Sequence, residues 1–230
     1  MIFRQLFDRK SSTYTYLLAE RTGGEALLID PVHENTDQYV RLLDALDVKL
    51  VLAVDTHIHA DHVTALGSLA EKTDCVTAMG EATGVECVSV RFSEGEKLRV
   101  DNLHLDILYT PGHTDDSYSF LLPDRVFTGD TLLIRGTGRT DFQNGDPAAQ
   151  YDSLFGKLLT LPSDTFVYPA HDYNGMTVST IGEELRHNPR LQVGSRQAYI
   201  DQMNALDLKD PELMDIAVPA NRCCGIRAAA

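Results

Sequence analysis

The chain lacks long apolar stretches and any sign of a targeting segment. Nowhere do about 18 apolar residues run together, so no membrane-spanning helix and no membrane partner are expected. The start, Met1 to Asp8, has no apolar core of signal-peptide length and lacks the Arg/Ser-rich, acid-poor character of a transit peptide. A cytoplasmic location is the resulting expectation.

Basic residues are scarce, with 20 Lys and Arg against 34 Asp and Glu, for a formal net charge of −14 and a pI of about 4.8. Such a surface repels phosphate backbones, so nucleic acid is not an expected partner. An anionic substrate would need a local cationic pocket that offsets the negative electrostatic potential of the whole protein.

Cysteine is also sparse. The four cysteines, Cys75, Cys87, Cys223 and Cys224, include a vicinal pair but no C-x-x-C. This pattern fits neither a disulfide framework nor a zinc knuckle, and we expect reduced thiols that are mostly structural.

No linker and no internal repeat is recognisable. A chain of 230 residues that is 43% hydrophobic and 23% charged is typical of one globular domain with a substantial core. We predict a single domain over residues 1–230, with a short helical C-terminal part from about residue 178.

Apolar periodicity predicts two strand-rich halves with helices between and after them. The predicted strands are Phe3 to Phe7, Thr13 to Leu18, Ala26 to Ile29, Leu50 to Val54, Lys97 to Val100, Leu103 to Tyr109, Ser117 to Leu122, Val126 to Thr128 and Phe166 to Tyr168. The predicted helices cover Tyr39 to Leu46, Val63 to Ala70, Pro147 to Leu159, Ile181 to Arg186 and Arg196 to Leu206. This order indicates an α/β fold with two sheets packed face to face and helices outside, a layered αββα arrangement.

The most informative segment is Asp55 to His62, which directly follows a predicted strand and holds three imidazoles and two carboxylates. On a continuing strand His57 and His59 would share a face while His62 pointed away, so a tight loop suits convergence better. The alternative is a solvated polar loop. Because clustered imidazole and carboxylate commonly ligate divalent metals, the segment predicts a metal site.

Three further ligand-type residues follow strand ends downstream: His113 after Thr110-Pro111-Gly112, Asp130 after Gly129, and His171 after Pro169-Ala170. Each alone would more often be a hydrogen-bonded loop residue, but together with the first cluster they favour ligation. The other histidines, His33, His104 and His187, have no such context and are assigned to surface or structural roles.

Thr56 to His62, followed by Gly112-His113, Gly129-Asp130 and Ala170-His171, resembles the five-part ligand signature of the metallo-β-lactamase superfamily. The resemblance implies a four-layer αβ/βα sandwich of two mixed sheets with the metal at one edge. It does not settle the reaction, since this scaffold supports hydrolases, oxidoreductases and dioxygenases.

Finer motifs narrow the resemblance. The sequence reads Ala60-Asp61-His62-Val63-Thr64 where hydrolytic members often carry Gly-Gly after the histidine. This segment, Arg135 to Gln143, Pro169 to Tyr173 and Ala217 to Gly225 look like the persulfide dioxygenase (sulfur dioxygenase) branch.

The resemblance implies one Fe(II) per chain, held by His57, His113 and Asp130, with glutathione persulfide and O2 as substrates and sulfite and glutathione as products. A two-His, one-carboxylate face leaves positions open for both substrates, which a closed tetrahedral zinc site does not. The residues implied to support the ligands by hydrogen bonding are His59, Asp61, His62, His171 and Asp172. The first four of these are also the set that a binuclear hydrolase would use, so the sequence alone permits two metals.

Arg139 and Tyr173 are the candidates for the substrate pocket. Arg139 could bind a glutathione carboxylate, and Tyr173 could hydrogen-bond near the iron-bound sulfur or oxygen. The alternatives are a surface ion pair and a core aromatic, while Asp172 could simply cap backbone. Cys223 and Cys224 lack the arginine-containing cradle of a rhodanese, which disfavours sulfur transfer. A homodimer and a functional link to a rhodanese or sulfide oxidase are compatible hypotheses.

Two alternatives to a persulfide dioxygenase that acts in sulfide oxidation remain. A glyoxalase II-like hydrolase would cleave a glutathione thioester with two metals and no oxygen. Such enzymes usually have a longer helical C-terminal part, whereas about 60 residues follow His171 here. A ligand-binding or scaffold protein with a residual metal is disfavoured because every ligand-type residue is present.

Overall fold

The computed structural model describes residues 1–209 and 213–226. The strands are β1 Ile2–Asp8, β2 Thr13–Ala19, β3 Glu25–Ile29, β4 Lys49–Val54, β5 Val76–Gly80, β6 Val90–Phe92, β7 Lys97–Val100, β8 Leu103–Tyr109, β9 Tyr118–Leu122, β10 Arg125–Gly129, β11 Phe166–Pro169 and β12 Ser179–Thr180. The helices are α1 Thr36–Leu46, α2 Leu66–Thr73, α3 Pro147–Gly156, α4 Ile181–His187, α5 Arg196–Asn204 and α6 Met214–Asn221, with short 3₁₀ turns at His33–Asn35, Glu81–Thr83 and Leu158–Thr160.

All nine predicted strands are present, and sequence periodicity missed β5, β6, β12 and α6. The strands β6 and β12 are too short to show a period, and α6 contains Pro219, which normally argues against a helix interior. Predicted helix ends were less accurate. The helix predicted from Val63 begins at Leu66, and the one predicted to Leu159 ends at Gly156 before a 3₁₀ turn.

The first sheet has the order β1-β2-β3-β4-β5-β6. The chain enters through an antiparallel meander of β1, β2 and β3, and the pairs from β3 to β6 are parallel. Ile29 pairs with Val54, and the Asp30 backbone N–H donates to the Val54 carbonyl at 2.9 Å. The residues that follow β3 and β4 therefore emerge side by side at one sheet edge.

The second sheet has the order β12-β11-β10-β9-β8-β7. Its strands β10 and β11 pair in parallel, with an irregularity after Phe127 that brings Gly129 opposite Pro169. The Ala170 backbone N–H donates to the Gly129 carbonyl at 2.9 Å. Asp130 and His171 consequently leave two neighbouring strands at the same edge.

The described residues form two compact units. The first contains Met1–Phe92, Lys97–Leu105 and the C-terminal segment, and the second contains Ser93–Glu96 and Asp106–Lys209. Each has a core of its own, which supplies its main stabilisation by burial of apolar surface. The first core includes Leu17, Leu28, Leu43, Leu66 and Leu69, and the second includes Val126, Leu132, Leu154, Val167 and Tyr199. The predicted single domain over residues 1–230 stays a prediction.

A disulfide joins Cys87 to Cys224, with their Cα atoms 5.8 Å apart. The prediction that all four cysteines are reduced thiols is therefore wrong for this pair, while buried Cys75 and exposed Cys223 are free. The two half-cystines are 137 residues apart in sequence, so only the fold of the first unit brings them together. No local cysteine spacing could have revealed the bond.

Within the described ranges, no helix combines the length and the apolar character that crossing a membrane requires.

Candidate metal centre

The segment Asp55–His62, called the histidine loop below, follows β4 without forming a helix or strand. Its imidazoles are buried and gathered: the ring centroids of His57 and His59 lie 4.1 Å apart, and those of His59 and His62 lie 4.3 Å apart. The loop thus brings all three rings together, as predicted for a tight turn rather than a continuing strand.

A hydrogen-bonded chain orients His57. Thr56 donates its hydroxyl proton to Asp30 Oδ2 at 3.1 Å, so Thr56 Oγ1 can accept from His57 Nδ1, which lies 2.9 Å away. This arrangement places the proton of a neutral imidazole on Nδ1. Nε2 of His57 then carries the lone pair, which makes it the nitrogen that could ligate a metal.

Asp30 is the buried anchor of the loop, and no motif in the sequence singles it out. Its Oδ1 accepts from the Thr56 backbone N–H at 2.7 Å and from His59 Nε2 at 3.2 Å. Burial raises the pKa of Asp30 to about 6, although the His57 charge and the bonds from Thr56 oppose the shift. The only sequence signal is its place directly after a buried strand beside β4.

Asp55 adds a second buried carboxyl to the first unit. Burial, reinforced by the charge of Asp30, raises the pKa of Asp55 well above its ordinary value, which favours the protonated form. Ligand atoms of Asp30, Asp55 and His59 all lie within 4.8 Å of one another. The base of the histidine loop is therefore a dense polar cluster inside the first unit.

Asp61 and His62 lie at the far end of the loop. His62 Nδ1 is 3.1 Å from Asp61 Oδ2, and the hydroxyl of Thr13 donates to the same carboxylate oxygen at 3.2 Å. Thr13 opens β2, so the meander of the first sheet also helps to hold this end.

The second unit brings His113, Asp130 and His171 together, all of them buried. His113 donates from Nδ1 to the Arg139 carbonyl at 2.7 Å, which leaves its Nε2 facing Asp130 Oδ2 at 3.6 Å. His171 donates from Nδ1 to Asp130 Oδ1 at 2.7 Å. One carboxylate oxygen of Asp130 is thus held by His171, and the other lies beside Nε2 of His113.

Two glycines permit close contacts around this group: Gly138 lies against Asp130 and His113, and Gly112 lies against Gln150. A Cβ on Gly138 would lie 2.3 Å from the Asp130 carbonyl oxygen and 2.7 Å from His113 Nδ1. Gly112 has a φ of +139°, and a Cβ there would meet the backbone of Gln150 at 2.3 Å. Gln150, which sequence analysis missed, is buried and donates to the Gly138 carbonyl at 3.0 Å.

The remaining candidates are Arg139, Tyr173 and Asp172. Arg139 makes a two-pronged ion pair with Asp141, with both N···O distances at 2.6 Å, and this pairing lowers the pKa of Asp141. Tyr173 is 69% exposed, and its ring is parallel to that of His171. Asp172 accepts from the backbone N–H groups of Asn174 and Met176, so it caps backbone. The three histidines assigned to surface or structural roles, His33, His104 and His187, are exposed.

A family model described as the metallo-beta-lactamase superfamily matches residues 8–171. Persulfide dioxygenases described as mitochondrial are 44% identical in Mus musculus and 42% identical in Homo sapiens, over 99% of this chain and 90% of theirs. The chain belongs to the metallo-β-lactamase superfamily, in its persulfide dioxygenase branch. The ligand-type residues of both units are therefore those of a metal-binding family.

Two solved structures extend the similarity of this superfamily member. The crystal structure of ETHE1 from Myxococcus xanthus is 53% identical with a TM-score of 0.96, covering 98% of this chain and 100% of that one. A Staphylococcus aureus metallo-beta-lactamase, at 24% identity and a TM-score of 0.90 over 97% of this chain and 73% of its own, shows the fold alone. The predicted α/β metallo-β-lactamase fold is confirmed.

Proposed function

We propose that the chain is a persulfide dioxygenase that oxidises glutathione persulfide with O2 to sulfite and glutathione. One persulfide, one O2 and one water balance one glutathione, one sulfite and two protons. The observation that carries the proposal is the similarity to persulfide dioxygenases over nearly the whole length of both chains.

We assign one Fe(II) to His57, His113 and Asp130, a group that could hold a metal ion. Two imidazoles and one carboxylate on one face suit a mononuclear non-haem Fe(II) and leave coordination positions open. In both histidines the Nδ1 hydrogen bond presents Nε2 as the donor atom. When bound, the iron would supply redox-active chemistry for the oxidation of the persulfide sulfur by O2.

The other polar residues then orient these ligands. Through its hydrogen bond to Oδ1, His171 would keep Asp130 Oδ2 turned toward the metal. His59 is held by Asp30, and His62 lies against Asp61. Supporting partners of this kind commonly change metal affinity or activity by about 10–100-fold when removed. Asp172 would help by fixing the backbone that follows His171.

Metal analysis joined to oxygen uptake tests the proposal directly. The protein is purified without oxygen, its iron and zinc are counted per chain, and O2 consumption is followed after glutathione persulfide is added. We expect one iron per chain and O2 uptake matched by sulfite. Two zinc ions per chain, with cleavage of a glutathione thioester and no O2 uptake, would instead establish the glyoxalase II-like alternative.

Arg139 is proposed to bind a carboxylate of the glutathione part of the substrate. Because a lysine cannot reproduce the planar fork of arginine, Arg139→Lys is expected to raise KM for glutathione persulfide by about tenfold with little change in kcat. Steady-state O2 uptake at varied persulfide concentration measures both constants.

A matched control is available at Arg196, which forms the same two-pronged ion pair with Asp152 on α3. Arg196→Lys should leave KM unchanged. An unchanged KM in Arg139→Lys as well would assign Arg139 only a structural ion pair. Tyr173, beside His171, is the other proposed substrate contact.

Location and partners stay predictions. The mammalian relatives are named as mitochondrial proteins, whereas the location predicted for this chain is cytoplasmic. A homodimer and a functional link to a rhodanese or sulfide oxidase also stay predictions.

A further inference from the structure

The C-terminal segment reaches back to the histidine loop through one buried side chain, Asn221. Its Nδ2 donates to the carbonyls of His59 at 2.9 Å and His62 at 2.8 Å, and its Oδ1 accepts from the Thr64 backbone N–H at 2.8 Å. The side chain is fully buried. Both amide protons and the amide oxygen are therefore used on the backbone of residues 59–64.

These bonds fall on a loop that lies outside the regular elements of the unit. Residues 55–62 form no helix or strand, so no regular ladder of backbone hydrogen bonds sets their path. A buried carbonyl without a partner costs free energy, and one amide here satisfies two carbonyls and one N–H. Asn221 is thus placed to set the backbone path that carries His59 and His62.

The segment Met214–Gly225, called the C-terminal clamp below, fits closely against the first unit. The Gly67 N–H at the start of α2 donates to the Cys224 carbonyl at 2.9 Å, and a Cβ on Gly67 would lie 2.7 Å from that oxygen. Gly225 has a φ of +72°, and a Cβ there would lie 2.1 Å from the Thr64 carbonyl oxygen. Only glycine at both positions permits this approach.

The disulfide ties the clamp down three residues after Asn221. Cys224 is buried in the first core, whereas its partner Cys87 is exposed in the segment before β6. The bond therefore ties the segment that carries Asn221 to a part of the unit that is distant in sequence. Its Cys87 end lies at an exposed residue.

We propose that Asn221 is a positioning residue for the metal-binding histidine loop, and that the Cys87–Cys224 disulfide locks it there, so that the clamp responds to redox conditions. The regulatory consequence rests on the proposed function, because it is the iron site of that function that the loop carries. Metal retention does not depend on which reaction the site performs.

The opening step is ordinary thiol–disulfide exchange. One thiolate of a small dithiol attacks the exposed Cys87 sulfur, and Cys224 leaves as a thiolate that takes up a proton. The second thiol of the reductant then closes a cyclic disulfide and releases the Cys87 thiol. Two electrons pass from the dithiol to the protein, and the clamp is left held only by non-covalent contacts.

The first test compares Asn221→Ala and the near-isosteric Asn221→Asp with the wild type, all loaded with iron. Aspartate keeps the acceptor for Thr64 but offers no donor to the two carbonyls. Both variants should lose iron to a ferrous chelator about tenfold faster than the wild type, because two buried hydrogen bonds are lost. The spectrum of the nitrosyl adduct of the iron should also change.

Asn188→Ala is the matched control. Asn188 is equally buried and donates from Nδ2 to the carbonyls of Leu133 and Gly136 in the second unit. It should lower Tm by an amount similar to that of Asn221→Ala yet keep the wild-type iron release rate and spectrum. Wild-type release and spectrum in Asn221→Ala would overturn the positioning role. An equally faster release of iron from Asn188→Ala would mean that Asn221 contributes only to general stability.

The second test treats wild type and Cys87→Ser with a phosphine reductant and confirms the opened disulfide by thiol titration. Reduced wild type should release iron as fast as Cys87→Ser, and the reductant should not accelerate release from Cys87→Ser. An unchanged rate in fully reduced wild type would overturn the lock. If the persulfide reaction failed while these rates behaved as expected, only the proposed function would fall.

Discussion

Replacing His113 with alanine is expected to abolish iron retention and persulfide oxidation while leaving the fold largely intact. The change removes the Nε2 that faces Asp130 Oδ2 and the hydrogen bond to the Arg139 carbonyl. His113 lies in a loop after β8 and belongs to neither hydrophobic core, so little packing is lost. Metal affinity should fall by more than about a hundredfold, because loss of a merely supporting partner already costs 10–100-fold.

Iron content per chain and O2 uptake measure this effect, and circular dichroism with Tm checks the fold. His104→Ala is a suitable control, because His104 is an exposed histidine on β8 of the same region. It should keep iron and turnover. Normal iron and turnover in His113→Ala would show that the ligand assignment is wrong.

Gly138→Ala is expected to lower iron retention and stability, because the added methyl group collides with the backbone and a side chain of the same site. The added methyl would lie 2.3 Å from the Asp130 carbonyl oxygen and 2.7 Å from His113 Nδ1. Neither neighbour can move freely, since the Gly138 N–H is bonded to that carbonyl at 2.7 Å and His113 to that of Arg139. Overpacking of this kind typically costs about 1–3 kcal/mol, and here the displaced atoms belong to two proposed ligands.

Urea denaturation measures the free energy of unfolding, and metal analysis measures the loss of iron. Gly136→Ala, two residues earlier, provides the comparison, because a Cβ there makes only an ordinary contact at 3.8 Å with Leu133. That variant should keep iron and stability. If Gly138→Ala retained wild-type iron and unfolding free energy, the close packing around His113 would not control the site.

The gathering of ligand-type residues could be predicted because it follows from local order. His57 follows β4, Asp130 follows β10 and His171 follows β11, and apolar strands are visible in sequence as period and length. Residues that leave neighbouring strands at one edge must come close together. The pairing of β10 with β11 and its irregularity at Gly129 put Asp130 beside His171 as this argument expects.

For other site residues, the local sequence did not reveal the contacts that define their roles. Asp30 simply follows β3 in the sequence, yet its contacts with Thr56 and His59 make it the buried anchor of the loop. Arg139 was predicted from its motif, but the ion pair with Asp141 depends on rotamers that no pattern reports. Such roles arise from which groups are left without water once the chain has folded.

The sequence by itself determined most of the strands and helices, the family and the ligand-type residues, because these depend on periodicity and on short motifs. Only the tertiary structure decided which groups hold the ligands in place. Asn221 bonds to the His59 carbonyl across a sequence separation of 162 residues, and Cys87 joins Cys224 across 137. Contacts between such distant segments depend on the packing of whole elements, so they leave no trace in the spacing of neighbouring residues.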